Sequence, residues 1–154
     1  MRLLVVLFLV FAGQFVFAAT DYRPYILGEW QCQSSVHTQY GDTLAIGDLS
    51  INDNGHLLGS GNLLFFYPRL NTEVPLAASL KAKWTFVNNQ LVVSQLSGDI
   101  ISPYPLLNGV ASSFKQDILQ QKTVTFKLAK IGKKFMAFTA EDQTEIQCIR
   151  PLAE

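Results

Sequence analysis

The run Leu80-Lys81-Ala82-Lys83-Trp84-Thr85-Phe86-Val87 decides the fold of this chain. On an extended backbone Leu80, Ala82, Trp84 and Phe86 share one side, while Lys81, Lys83 and Thr85 share the other. A period of two with one apolar face is the pattern of a half-buried β-strand. Asn88-Asn89 follows, a pair that tolerates positive φ, and then Gln90-Leu91-Val92-Val93-Ser94-Gln95-Leu96. Two strands separated by two such residues make a tight hairpin.

Outward from this hairpin the same logic repeats. Residues 43–51 pair with 56–66 across Asn52-Asp53-Asn54-Gly55, a stretch with strong turn chemistry. Near the end, 123–128 and 133–139 flank Ile131-Gly132, and 144–150 follows Glu141-Asp142, which predicts a three-stranded meander. Within it Val124, Phe126 and Leu128 alternate with Thr123, Thr125 and Lys127, one buried face and one wet face. With 28–38 as the first strand there are eight candidates, enough to close an antiparallel barrel. Two segments interrupt the pattern: 67–78 with Pro68 and Pro75, and 97–121 with Pro103, Pro105 and Gly109. Proline lacks the N–H that a ladder needs, so both are expected outside it. Inside the second, Ala111 to Gln120 places Phe114, Ile118 and Leu119 on one side of a short helix, which would lie against the barrel mouth or wall.

The chain has 154 residues, 49% of them hydrophobic and 16% charged, with twelve basic and twelve acidic side chains. Length limits it to one domain, and this composition excludes a disordered chain. Balanced charge with no Lys/Arg run longer than two excludes nucleic acid as a partner, since nothing is concentrated to displace counterions from phosphates. The N-terminus, Met1-Arg2 and then ten apolar residues to Ala12, has a secretory signal layout, with cleavage expected after Ala18 or Ala19. Its apolar core is shorter than the roughly 20 residues of a membrane span, so the expected product does not cross a membrane. The domain plan is therefore a cleavable signal over 1–19 and a single β-barrel domain over 20–154, periplasmic or secreted.

Export gives meaning to Cys32 and Cys148, which lie near the two ends of the mature domain. In an oxidising compartment they are expected to form a structural disulfide between first and last strands. The expected fold is all-β: an eight-stranded antiparallel barrel with one short helix, closed by that bridge.

Signs of catalysis are few. His37 and His56 stand alone without metal-ligand spacing, there is no nucleophile elbow, and neither cysteine is free to act. Glu29, Asp42, Asp48, Asp53 and Asp99 fall mostly at turns or strand ends, where solvated acids are common. Gly59-Ser60-Gly61 lacks the lysine and helix of a phosphate loop and marks a bulge or tight barrel bend. No enzyme, cofactor or metal is expected. An enzyme would need Glu29, Asp48 or His56 gathered in one cleft.

Leu63, Phe65, Trp84, Phe86, Phe126, Phe135, Met136 and Phe138 could line a cavity for an apolar guest or fill a solid core. The candidate ligand-binding residues are Leu63, Phe65, Trp84, Phe86, Phe126 and Phe138. Apolar loops around Leu63 to Pro68 and Ile100 to Leu107 favour a surface that meets something.

Gly28-Glu29-Trp30 resembles the Gly-x-Trp that opens the first strand of lipocalin-type barrels. That resemblance implies a lipocalin-like (calycin) fold, with a basic residue of the last strand packed on the Trp, a role that Arg150 beside Cys148 could take. The order of Glu29-Trp30, Asn54-Gly55, Trp84, a helix near 114–120 and a final meander is also similar to small periplasmic partners of bile-responsive membrane regulators, the ToxS and VtrC type. It implies pairing with a regulator and, in some members, bile-salt binding, but transfers no individual binding residue; this chain differs in its cleavable signal and its cysteine pair. The function expected is an exported lipocalin-like barrel that binds a small amphipathic ligand, lipid or bile-salt-like, and serves as accessory subunit of a membrane-bound sensor. The alternative is a pocketless protein-interaction module, a periplasmic chaperone or an enzyme inhibitor, using 67–78 and 97–110 as contact loops.

Overall fold

A computed structural model of the chain describes residues 21–38 and 41–152. The signal segment expected over 1–19 lies outside the described residues. A single helical turn, α1 (Arg23–Ile26), leads into eight strands: β1 (Gly28–Thr38), β2 (Gly41–Ile51), β3 (His56–Tyr67), β4 (Thr72–Val87), β5 (Gln90–Ile101), β6 (Thr123–Ile131), β7 (Phe135–Ala140) and β8 (Glu145–Ile149). One helix, α2 (Asn108–Leu119), interrupts them between β5 and β6. Each strand pairs antiparallel with the next, and β8 pairs with β1, so the sheet closes into an up-and-down barrel.

Local chemistry explains the hairpins. Asn88 and Asn89 have φ of 52° and 59°, the double positive φ of a type I′ turn, whose twist matches the strands it joins. Gly55 at φ 82° closes the β2–β3 turn, and its N–H donates to the Asn52 carbonyl at 3.2 Å. At the β7–β8 turn the Thr144 N–H donates to Asp142 Oδ1 at 2.9 Å, which holds the Asp142 carboxyl below its ordinary pKa.

Alternation then sorts the side chains. Trp30, Cys32 and Ser34 of β1 stand opposite Leu49, Gly47 and Ala45 of β2, all facing inward, whereas Gln31 and Gln33 face out. Cys32 and Cys148 are directly opposed in the β1–β8 ladder and are disulfide-bonded across a separation of 116 residues. The bridge between first and last strands is therefore present as expected. It joins the two ends of one wall.

Three boundaries differ from the sequence expectation. Residues 72–78 belong to β4, with Pro75 in register opposite Leu64. The β4–β5 ladder runs only between Ala77 and Val87, so at Pro75 the strand has β3 as its single neighbour, a position where a residue without an N–H is tolerated. Residues 97–101 extend β5 past an irregularity, with Gln95 at φ 52° and Gly98 at φ 146°. Ser-Gly-Asp chemistry there bends a strand instead of ending it. The helix begins at Asn108, after a 3₁₀ turn (Pro105–Leu107) started by Pro105, rather than at Ala111.

Two apolar layers fill the ends. One gathers Ile26, Trp30, Ile51, Ala82, Trp84 and Met136 at the end capped by α1. The other packs Leu107, Ala111 and Phe114 of the helical segment onto Phe65, Val74, Leu76 and Ile100, inward residues of strands that rise beyond β6–β8. Each fully buried side chain of this size contributes about 1.5–3 kcal/mol relative to exposure.

Candidate ligand cavity

The two layers do not meet everywhere. Between them lies a cavity of about 360 Å³, lined by residues of all eight strands and by Ile118 of α2. Its wall draws Leu57, Leu91, Val93 and Phe138 from the lower layer and Leu63, Ala78 and Ile118 from the periphery of the upper one.

Small residues create this space. Gly47 of β2 stands opposite Gly61 of β3, which stands opposite Ala78 of β4. A methyl group on Gly47 would collide with the Ser60 carbonyl oxygen and lie 2.8 Å from Gly61 Cα, so the two strands run too close for any side chain. Bare backbone is therefore the surface along this side, and outward-facing Ile46, Asp48, Ser60 and Asn62 reach the cavity alongside the glycines. Gly59-Ser60-Gly61 stays in continuous register with both neighbours, so it marks no bulge, and Gly61 serves the close approach of β3 to β2.

The chemistry of the wall is apolar. Leu49, Leu96, Val124, Phe126 and Ile146 join the residues above, and the wall includes no Lys, Arg or His. Asp48 is its one acidic residue, exposed and alternating outward. Of its uncharged polar residues, Gln33, Ser60 and Asn62 alternate outward, Ser34 is on the inward register of β1 and Gln121 follows α2.

The six candidate binding residues divide by height. Leu63, Phe126 and Phe138 line the cavity. Phe65 sits in the upper layer, its ring 5.7 Å from that of Phe114. Trp84 and Phe86 belong to the lower layer, where the Trp84 indole N–H donates to the Asn52 carbonyl at 2.9 Å. Met136 is fully buried there as well. Sequence reasoning passed over Leu49, Leu57, Leu91, Val93, Leu96 and Ile146, because it ranked aromatic size above strand parity. Alternation from the Asn88-Asn89 turn would have placed Leu91 and Val93 inward.

Polar residues singled out in the sequence lie elsewhere. His37 meets Asp42 at 3.0 Å with both side chains largely in solvent. Glu29 accepts from the Ser50 hydroxyl at 2.6 Å on the outer face, and His56 is exposed at the start of β3. Among the described residues no three His, Cys, Asp or Glu side chains are placed to hold a metal ion, and no helix is long and apolar enough to cross a membrane.

The closed end is built by Arg150. Its guanidinium lies 4.1 Å from the centre of the Trp30 ring, and Nη2 donates to the Leu27 and Tyr25 carbonyls at 2.8 and 3.2 Å. The Trp30 indole N–H donates in turn to the Ile26 carbonyl at 2.8 Å. Gly28 has φ of 106°, and a side chain there would start 2.6 Å from Arg150 Nη1, so only glycine fits two residues before the Trp. Arg150 takes the basic role expected from the Gly-x-Trp resemblance, from a position one residue past β8.

The fold is a closed, eight-stranded antiparallel up-and-down barrel. No family model matches the chain, and no curated protein matches it. Among solved structures it is similar to an uncharacterized protein from Bacteroides eggerthii, with 11% identity and a TM-score of 0.48, over 81% of this chain and 98% of that one. It is also similar to a lipocalin-like protein from Bacteroides uniformis, with 10% identity and a TM-score of 0.42, over 81% and 97%.

Proposed function

We propose that this protein is an exported lipocalin-like barrel that holds a small hydrophobic or amphipathic ligand. The cavity of about 360 Å³ carries the proposal: it falls within the range of ligand pockets, roughly 300–1,000 Å³, and has an apolar wall with few polar groups. A pocketless interaction module has no use for such a space. The Cys32–Cys148 bridge supports an oxidising compartment, in keeping with the signal layout of 1–19. Native mass spectrometry of protein purified from the periplasm of its own cells tests this reading. A retained small molecule, or uptake of fatty alcohols, fatty acids or bile salts by the emptied protein, is the expected result; neither retention nor uptake would sink it.

An accessory role beside a membrane-bound sensor is a second part of the proposal, supported by apolar side chains left in water on the outer face and rim. Ile46, Phe66, Ile101 and Leu106 are all exposed, Ile101 at 61% and Leu106 at 68%. Co-purification of a periplasmic domain with the wild type, lost in a Phe66→Glu/Ile101→Glu variant that keeps its thermal stability, is expected. Equal recovery of that domain with both proteins would refute this part.

A further inference from the structure

We infer that the cavity selects an uncharged, slender molecule of about fourteen heavy atoms and keeps ionised head groups out of its interior. This rests on the ligand-binding reading above and narrows it. Size comes first: an engineered apolar cavity of about 150 Å³ holds one benzene, so a space of 360 Å³ holds about fourteen heavy atoms at the same filling. The pocket is partly open to solvent, and its two ends are set by fixed parts. Below, the lining residues Leu57, Leu91, Val93 and Phe138 pack in the same layer as Trp84, held by its bond to Asn52, and Trp30, held between the Ile26 carbonyl and the Arg150 guanidinium. Above, Ile118 belongs to a helix anchored by the buried Ala111 and Phe114.

Charge comes second. A carboxylate drawn inside needs a cation or a cluster of donors; the wall has no Lys, Arg or His, and of its polar residues Gln33, Asp48, Ser60 and Asn62 alternate outward, which leaves Ser34 and Gln121. Lys115, on the helix that roofs the cavity, is committed to Asp99 at 2.7 Å. Ser34 and Gln121 suit a hydroxyl or carbonyl group, which needs one or two neutral partners. The ligand class that meets both limits is a medium-chain alcohol, or a neutral molecule of similar length.

The test is a binding series by isothermal titration at pH 8, with 1-octanol, 1-dodecanol and 1-hexadecanol, the sodium salts of the matching acids, and taurocholate. Dodecanol is expected to bind most tightly of the alcohols, and at least about tenfold more tightly than dodecanoate. Equal affinity for the alcohol and its carboxylate, or a preference for hexadecanol or taurocholate, would overturn this inference and leave the ligand-binding reading standing. Failure of every member of the series to bind would overturn both. Two variants locate the ligand. Ala78→Leu, which projects a larger side chain into the cavity, should abolish dodecanol binding. Leu91→Ala, which enlarges it, should move the optimum towards hexadecanol. Dodecanol binding unchanged in both folded variants would place the molecule elsewhere and overturn the inference.

Discussion

Arg150 and Trp30, 120 positions apart in the sequence, stack at 4.1 Å, and the same guanidinium ties down the chain on both sides of the Trp layer, at Tyr25 and Leu27 and at Lys133. A single fork thus joins the entry of β1, the β6–β7 turn and the exit of β8. Arg150→Ala should cost about 2–4 kcal/mol, because a stacked cation and several charge-assisted bonds are lost together. Arg150→Lys should recover less than half, since an ammonium cannot fork. Urea unfolding of the three proteins measures both, and a Lys variant as stable as wild type would show that charge alone suffices.

The disulfide closes a loop of 116 residues. On the chain-entropy model the bridge contributes about 4–5 kcal/mol. A Cys32→Ala/Cys148→Ala protein should melt at least about 10 °C below wild type. The native wild type should also present no alkylatable thiol, and labelling of either cysteine without unfolding would contradict the bridge.

Gly61→Ala should be among the most damaging small substitutions in the chain. Its methyl group would strike the Ile46 carbonyl oxygen and lie 2.5 Å from Gly47 Cα, both backbone, so nothing flexible can yield. A loss above about 3 kcal/mol is expected, whereas Gly109→Ala, with nothing within 4 Å, should be neutral or stabilising. Thermal melts in parallel decide it: similar behaviour of the two variants would mean that β2 and β3 do not approach as described.

Asn89→Gly should stabilise the protein by about 0.5–1 kcal/mol. Asn89 holds φ of 59° at the second central position of a type I′ turn, where glycine carries no side-chain penalty. A lower melting temperature for this variant would argue against the turn type.

The hairpins were legible because their signals are local. Asn88-Asn89 and Asn52 to Gly55 announce turns by their own backbone preferences, and alternation from Leu80 to Phe86 reports the pleat directly. Pro75 misled for a physical reason: it is tolerated only because no strand pairs with it on its other side. Such information is tertiary. The cavity was harder still. It depends on Gly47, Gly61 and Ala78 falling into one cross-strand row, and register between β2, β3 and β4 is set by pairing that no single strand encodes. Three of the six chosen residues, Phe65, Trp84 and Phe86, occupy end layers because large aromatic rings fill space and so define where a cavity stops.

Seven of the eight seams in this barrel join strands that follow each other along the chain, six of them separated by only a few residues and one by the α2 segment. The eighth, β8 against β1, is four residue pairs long, from Gln31↔Ile149 to Ser34↔Ile146, and joins the far ends of the domain. Closing it carries the largest loop-closure entropy of any seam for a small return in ladder bonds. It is also where the sulfur link sits, so the barrel behaves as a rolled sheet with a latch at its overlap. Cys32, Ser34 and Ile146 flank that latch and also line the cavity. Oxidation of the two thiols therefore fixes part of the cavity wall as well as stabilising the fold.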